Sequence, residues 1–386
     1  TRRLPVTVTL VNGLADFVER PRLHEAAAGV PVARRPLTRM LRGSNVRFRP
    51  GWVTALTPGR STVALQTDDG PSELVYDYLI VALGSHVERA SAPGVAEHAY
   101  TLDPWGDLTT AALHERLSEL ALRSAHIVIV GGGPTGVEAA GQIKATYSDA
   151  DVTIVSQGKV GAFKGARVQR HITGALTEQG IALRERATVT AVTKGAVLLG
   201  DQRLPATLTV WAGGFIAPVL AKEAGLRVND RNQILVDPCL RSLSDTRIYA
   251  VGDAMQPLEE PGAPVRMSLF TAVVSGAQAA DNVVAAIRGK AQRPLSYAWY
   301  GQGIALGPHD AVGFATYPND VAWRIVLRGK LAVSVRGLFV ALLRLVLEAE
   351  RRQPGLFTWN GRGRYRRRTR RSGFADLRPI GKTHGN

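Results

Sequence analysis

The run HIVIVGGGPTGVEAAGQI, which begins at His126, constrains the fold of this chain more than any other stretch. Its β-branched residues Ile127 to Val130 read as a strand. The pattern Gly131-x-Gly133-x-x-Gly136 follows, and the residues after it read as a helix. The first glycine permits a tight turn, the second lets the backbone approach a pyrophosphate, and the third lets the helix close on the strand. The helix start, with Pro134 and Thr135 inside the turn, presents free N–H groups and a positive dipole end to phosphates. A strand before and a helix after set this unit apart from a bare glycine turn, so it points to a dinucleotide.

An acid at the end of the next strand would bond the ribose hydroxyls of NAD. The sequence there is DVTIVSQGKVGAFKGARV, with Ser156 at the strand end and no acid. Lys159, Lys164 and Arg167 follow. They suit the 2′-phosphate of NADPH, and they suit a solvated loop equally well. A second strand-end signal is TRIYAVGDAM, an apolar run closing on Gly252-Asp253. A carboxylate in that place can bond a ligand hydroxyl or cap the helix that follows.

Strands and helices alternate along the chain. A strand is expected over Val6 to Val11, and short strands with Gly, Pro and Asp turns over 45–85, ending in YDYLIVALGS. A helix is expected in DLTTAALHERLSELALRS, from its spacing near 3.6 residues. Residues 167–215 read as a helix, a pair of strands and the final strand LTVWAGG. The segment QILVDPCLRSLSDTRIYAVGDA holds two strands, and SLFTAVVSGAQAADNVVAAIRG a long helix. Two strands are expected from LSYAWYGQGIALGPHDAVGFA onward, then an apolar helix from Leu331 to Arg351 interrupted by Arg336 and Arg344.

Charge is concentrated at the end. Residues 331–386 hold 13 Lys or Arg against 3 Asp or Glu, and the preceding 330 residues carry only the remaining +6 of the chain's +16. An apolar helix beside a cationic tail suits a membrane interface with anionic lipid, or else a packed helix with a solvated tail. Nucleic acid is disfavoured, because aromatics between the arginines are sparse (Phe357, Trp359, Tyr365, Phe374). The single cysteine, Cys239, excludes a redox pair within the chain. It makes a cytoplasmic location the expectation, peripheral on the cytoplasmic face of the membrane if the helix docks there. No run of about 20 uncharged apolar residues marks a membrane span, and the first residues lack the shape of a signal peptide. No metal site is expected.

Together IVIVGGGPTGVE, YDYLIVALGS and RIYAVGDA, in this order and spacing, resemble the two-dinucleotide flavoproteins of the pyridine nucleotide–disulfide oxidoreductase superfamily. More narrowly, VTLVNGLADFVERPRLHE, WAGGF and GQGIALG are similar to type II NADH dehydrogenases. The resemblance implies an α/β fold of two Rossmann-like domains, one inserted in the other, with a C-terminal α+β extension. FAD would be held by residues 1–105 and 216–292, NAD(P)H by 106–215, and 293–386 would form the C-terminal region. It implies FAD contacts at Asn12, Arg22, His24, Ala82, Gly84, Ser85, Gly252, Asp253 and Ala254. For NAD(P) it implies Gly131, Gly133, Pro134, Thr135, Gly136, Glu138, Ser156 and Gly213, with Glu138 facing the nicotinamide. The family opens with its own strand and glycine turn for the FAD pyrophosphate. Here the first strand matches the second of that fold, so a preceding βα unit is expected to be missing. Asn12 stands where many relatives carry an acid.

The implied chemistry is hydride transfer from NADH or NADPH to FAD and onward to an acceptor, with no side chain needed as catalyst in the first step. A quinone is the expected acceptor, although Leu269, Phe270, Val274 and Ser275 stand where type II enzymes carry glutamines. The alternatives are a small redox protein (ferredoxin or rubredoxin) as acceptor, and a non-catalytic nucleotide sensor whose tail binds lipid or nucleic acid.

Overall fold

The computed structural model describes residues 4–120, 125–317 and 319–353. The arginine-rich run RGRYRRRTRR and the aromatics from Phe357 to Phe374 lie outside the described residues.

The strand His126–Val130 is the middle of a five-stranded parallel sheet. Asp151–Ser156 and then Ala182–Glu185 lie on one side of it; Leu208–Trp211 and then Ala99–Tyr100 lie on the other. Four of the five residues in the central strand are buried, as a strand covered on both faces requires. The strand order reverses beside it, and a crevice for a ligand opens at the carboxyl ends of strands on either side of such a reversal. Helices Thr110–Leu120, Pro134–Thr146 and Ala166–Glu178 cover the sheet with Leu113, Leu117, Val137, Ile143, Ile172 and Leu176. Where a pair of strands was expected in 167–215, the sheet strand Ala182–Glu185 is followed by a separate antiparallel trio, Ala191–Thr193, Ala196–Leu199 and Gln202–Pro205.

A second core gathers around Ile248, Tyr249, Leu65 and Ile234. Its parallel strands come in pairs. Val8–Asn12 pairs with Val46–Pro50, and Leu79–Val81 pairs with Ile248–Ala250. An antiparallel meander, Trp52–Thr57, Thr62–Thr67 and Gly70–Val75, lies between them in sequence. Val251 N donates to Val81 O at 3.1 Å, so the chain leaves both strands of the second pair side by side.

The C-terminal region is a three-stranded antiparallel sheet and a helix. Strands Gly301–Ala305 and Ala311–Thr316 match the expectation, and a third, Ala322–Arg328, completes the sheet. Gly141 of the glycine-turn helix lets this region close in: a Cβ there would lie 2.6 Å from the carbonyl carbon of Leu306. The helix Gly329–Arg352 follows, about 36 Å long at 1.5 Å per residue. It inverts the usual amphipathic arrangement. Its arginines Arg336 and Arg344 reach into the protein, while Leu331, Leu338, Phe339, Leu342 and Leu345 are exposed.

Candidate functional site

The glycine turn lies where the strand order reverses. Gly131 has φ +129°, and a Cβ on it would lie 2.9 Å from the carbonyl of Ala212 and 3.0 Å from Gly213 N. Only glycine lets the WAGGF loop come this close, which sets Gly213 against the turn. A Cβ on Gly136 would lie 2.0 Å from Gly131 O, so helix and strand meet as the motif requires. Gly133 differs, since nothing lies within 4 Å of a Cβ placed there. It is the N-cap of Pro134–Thr146, no side chain caps that end, and Pro134 stands in the first turn. The first turn, with Thr135 and Gly136, therefore starts beside open space at Gly133 and carries no side-chain cap.

Ser156 is buried at the end of its strand, in register with Glu185. An acid does stand at this sheet end, but one strand further on, and Glu185 Oε1 accepts from Val160 N at 2.9 Å. Of the nearby cations, Lys164 forms an ion pair with Asp320, and Arg167 Nη1 donates to Arg324 O at 3.1 Å. Lys159 stays exposed on the loop after Ser156.

The second crevice forms where the paired strands end. Ser85 Oγ donates to Asp253 Oδ2 at 2.7 Å, and Arg20 Nη1 donates to Ser85 O at 2.6 Å. The Arg20 guanidinium also lies 3.8 Å from Asp103 Oδ1 and 5.5 Å from the Trp105 ring centre. Gly84 and Gly252 take φ +70° and +61°, which lets both chains turn back at the strand ends. Gly252 N donates to Ser275 Oγ at 2.9 Å, and Gln233 Nε2 holds Asp253 O. The other carboxylate oxygen, Asp253 Oδ1, is buried without a partner. The helix Leu269–Ile287 is capped by Ser268, so Asp253 is not its cap. Ala254 is buried in the same turn as Asp253, and Ala82 is exposed next to Val81. Asn12 stands on the other strand pair, its amide folded back on Leu14 O at 2.6 Å.

Between the two crevices lies an ionic cluster. His24 Nδ1 is 3.9 Å from Glu138 Oε2, which brings together two residues assigned to different cofactors. Glu138 Oε1 accepts from Ala305 N at 3.1 Å, and Arg336 lies 3.4 Å from Glu138 and 3.5 Å from Glu25. Arg22 is taken up by Glu25 at 2.7 Å and Glu19 at 3.7 Å. Burial holds the His24 imidazole below its ordinary pKa, against the pull of Glu138. Burial would raise the Glu19 carboxyl, but hydrogen bonds from Arg344 and Arg35 bring it below the carboxylate range.

Under the Asp253 turn, Val274 and Ser275 are core, whereas Leu269 is exposed. Phe270 packs in an aromatic cluster with Tyr297, Trp299 and Tyr300, ring centres 5.6 to 5.9 Å away, and Arg266 lies 4.0 Å over Trp299. Burial pushes the Tyr297 phenol up to about 12.

Sequence reasoning missed Arg20, Gln233 and Glu185, and it named Ser275 and Arg336 without their bonds to Gly252 N and Glu138. An acid at a third strand end was the one local signal available, for Glu185; the others act across the fold. What the residues present can hold follows from two features of the chain. An orphaned carboxylate oxygen suits a cofactor hydroxyl, and an uncapped helix start beside an open glycine suits a pyrophosphate. Both kinds of group occur in FAD and NAD(P)H.

A family model described as pyridine nucleotide-disulphide oxidoreductase matches residues 1–280. The demethylphylloquinone reductase NdbB of Synechocystis sp. is 28% identical over 321 residues, covering 80% of this chain and 79% of its own length. The type II NADH:quinone oxidoreductase NdhA of Mycobacterium tuberculosis is 28% identical over 396 residues, with 88% and 82% covered. The structure of NDH2 from Plasmodium falciparum in complex with NADH superposes with a TM-score of 0.75 over 95% of this chain and 93% of its own. Its 16% identity speaks for the fold alone.

Proposed function

Because this chain belongs to the pyridine nucleotide–disulphide oxidoreductase family, and is therefore an FAD-dependent NAD(P)H oxidoreductase, we propose that it passes electrons from NAD(P)H through FAD to a quinone at a membrane surface. The reading rests above all on Asp253, whose free buried oxygen stands at the ends of two parallel strands, its other oxygen bonded by Ser85 Oγ and the Ser85 backbone in turn bonded by Arg20. The sequence has one cysteine, Cys239. Burial and then the charge of Asp237 push its thiol up, away from the reactive thiolate.

When bound, FAD supplies the two-electron chemistry that side chains lack. Asp253 would accept a hydrogen bond from a hydroxyl of FAD, while Ser85 and Arg20 hold that carboxylate and its neighbouring backbone in place. Gly84, Gly252 and Ala254 would let the backbone come close to the cofactor. The helix start at Gly133 to Gly136 would take the pyrophosphate of NAD(P)H. Glu138, fixed by Ala305 N and Arg336, and kept beside a neutral His24, would border the nicotinamide. Ser156 and exposed Lys159 would meet the adenosine ribose or its 2′-phosphate.

Quinone as acceptor is supported by the names of the two relatives and by the exposed edge of the aromatic cluster at Leu269 and Tyr300. Membrane docking is supported by the outward leucines of Gly329–Arg352. A row of exposed apolar side chains on a helix held by inward ion pairs suits burial at a lipid interface. The helix Leu269–Ile287 is long and apolar enough to cross a membrane, yet Thr271, Val274, Ser275, Gln278, Ala279 and Asn282 on it are buried inside the protein. The test is steady-state oxidation of NADH and NADPH with a short-chain quinone, a ferredoxin or a rubredoxin as acceptor. Quinone turnover well above the protein acceptors is expected. Faster transfer to a redox protein would overturn the choice of quinone.

A further inference from the structure

A cavity of about 460 Å³ lies between helix Ala166–Glu178 and the end of strand Ala322–Arg328. It is lined by Arg167, Arg170, His171, Gly174, Glu178 and Arg328, and its volume lies in the range of small-molecule sites. The helical residues recur at intervals of three and four, so they share one face. Nothing lies within 4 Å of a Cβ built on Gly174, so the floor of the cavity is open there.

The charge in this cavity is unbalanced. Arginines that reach into the protein elsewhere are matched, Arg336 with Glu25 and Glu138 and Arg344 with Glu19, whereas Arg167, Arg170 and Arg328 are exposed to solvent. Among the described residues, Arg167, Arg170 and Arg328 have no ion-pair partner. Asp310 is the nearest acid to His171, at 3.9 Å, but its Oδ1 already accepts from Ala311 N and Gly329 N. His171 Nε2 is buried and without a hydrogen bond. Glu178 is three turns along the helix from Arg167, so the cavity has a cationic end and an acidic end with small residues between them.

We propose that this cavity binds a phosphate ester of a small polyol. The guanidiniums of Arg170 and Arg328 suit the several oxygens of a phosphate, each able to donate two parallel bonds, and Arg167, one nitrogen of which is bonded to Arg324 O, adds charge. Gly174 leaves room for the organic part, and Glu178 can accept from a hydroxyl at its far end. The same chemistry occurs in a soluble glycerol phosphate and in the headgroup of an anionic glycerophospholipid. Exposed Ile325 and Leu331 flank Arg328 in sequence, next to the proposed membrane face. The site itself does not depend on the oxidoreductase reading.

The test uses the full chain and the variant R170Q/R328Q, neither position being part of the cofactor crevices. Calorimetric titration with sn-glycerol 3-phosphate should show binding that weakens about tenfold or more in the variant, the usual effect of losing charge-assisted hydrogen bonds. Sedimentation with phosphatidylglycerol vesicles, against phosphatidylcholine vesicles, separates the two sources. A matching loss in the variant assigns the lipid headgroup, and unchanged sedimentation assigns the soluble ester. Flavin reduction by NAD(P)H should be equal in both proteins, so failure of the cavity and failure of the redox reading are distinguishable. No binding of either probe, equal binding by the variant, or competition by adenosine 2′-phosphate, which would give the arginines to the nucleotide crevice, overturns the proposal.

Discussion

Two glycines of the motif, Gly133 and Gly136, have opposite duties, and substitution separates them. Gly136→Ala would place a methyl 2.0 Å from Gly131 O, a backbone atom with no room to move. Overpacking of this kind costs about 1–3 kcal/mol, so the unfolding midpoint should fall. Gly133→Ala meets only open space. Its midpoint should stay unchanged while the KM for NAD(P)H rises, which calorimetry and initial rates would check. Asp253→Ala removes a charged acceptor from the second crevice. FAD affinity should drop about tenfold or more, since hydrogen bonds to charged groups contribute about 1.5–3 kcal/mol, and less flavin should co-purify. Three histidines carry a pH signature. Burial is the leading cause that lowers the pKa of His24, His86 and His171. Each binds its proton more weakly folded than unfolded. Their contribution to stability is therefore full above the unfolded value of about 6.5 and is lost as pH falls through the lowered folded values. Denaturant melts across this window should show that decline, and His24→Gln should remove the share of it that His24 contributes.

At the scale of elements, the helix Gly329–Arg352 has two unlike faces. Arg336 and Arg344 tie it to Glu138, Glu25 and Glu19, while Leu338 and Leu345 face outward at 70% and 67% exposure. Leu338→Glu with Leu345→Glu should abolish sedimentation with lipid vesicles and leave the rate with a soluble quinone intact, because neither side chain touches the crevices. Loss of both together would mean that the outer face supports the fold. Much at this scale was legible in the sequence. The central strand is a continuous apolar run, and the glycine spacing dictates its turn. The strand Ala322–Arg328 was not legible, because an edge strand with mixed burial has no clean alternation. The direction of Arg336 and Arg344 was hidden for a related reason. Amphipathic patterning assumes that the apolar face turns inward, and here ion pairs reverse it.

At the scale of the whole molecule, function depends on groups that only folding brings together. Ser85 and Asp253 are 168 residues apart in sequence, and Arg20 and Ser85 are 65 apart. No spacing rule links them. The strand-end motifs located Gly252, Asp253, Gly84 and Ser85, but Arg20 emerged from the tertiary structure alone. The same holds for His24 and Glu138, which sequence resemblance gave to different cofactors and the fold places 3.9 Å apart. The central claim is that this one chain binds FAD and accepts hydride from NAD(P)H. The most direct test is the visible spectrum of the purified chain, recorded anaerobically before and after stoichiometric NADH or NADPH. The account predicts flavin bands that bleach on addition, with the more effective nucleotide revealing what Ser156 and Lys159 recognise. A protein reconstituted with FAD that stays colourless after desalting, or whose flavin bands persist with both nucleotides, would contradict it.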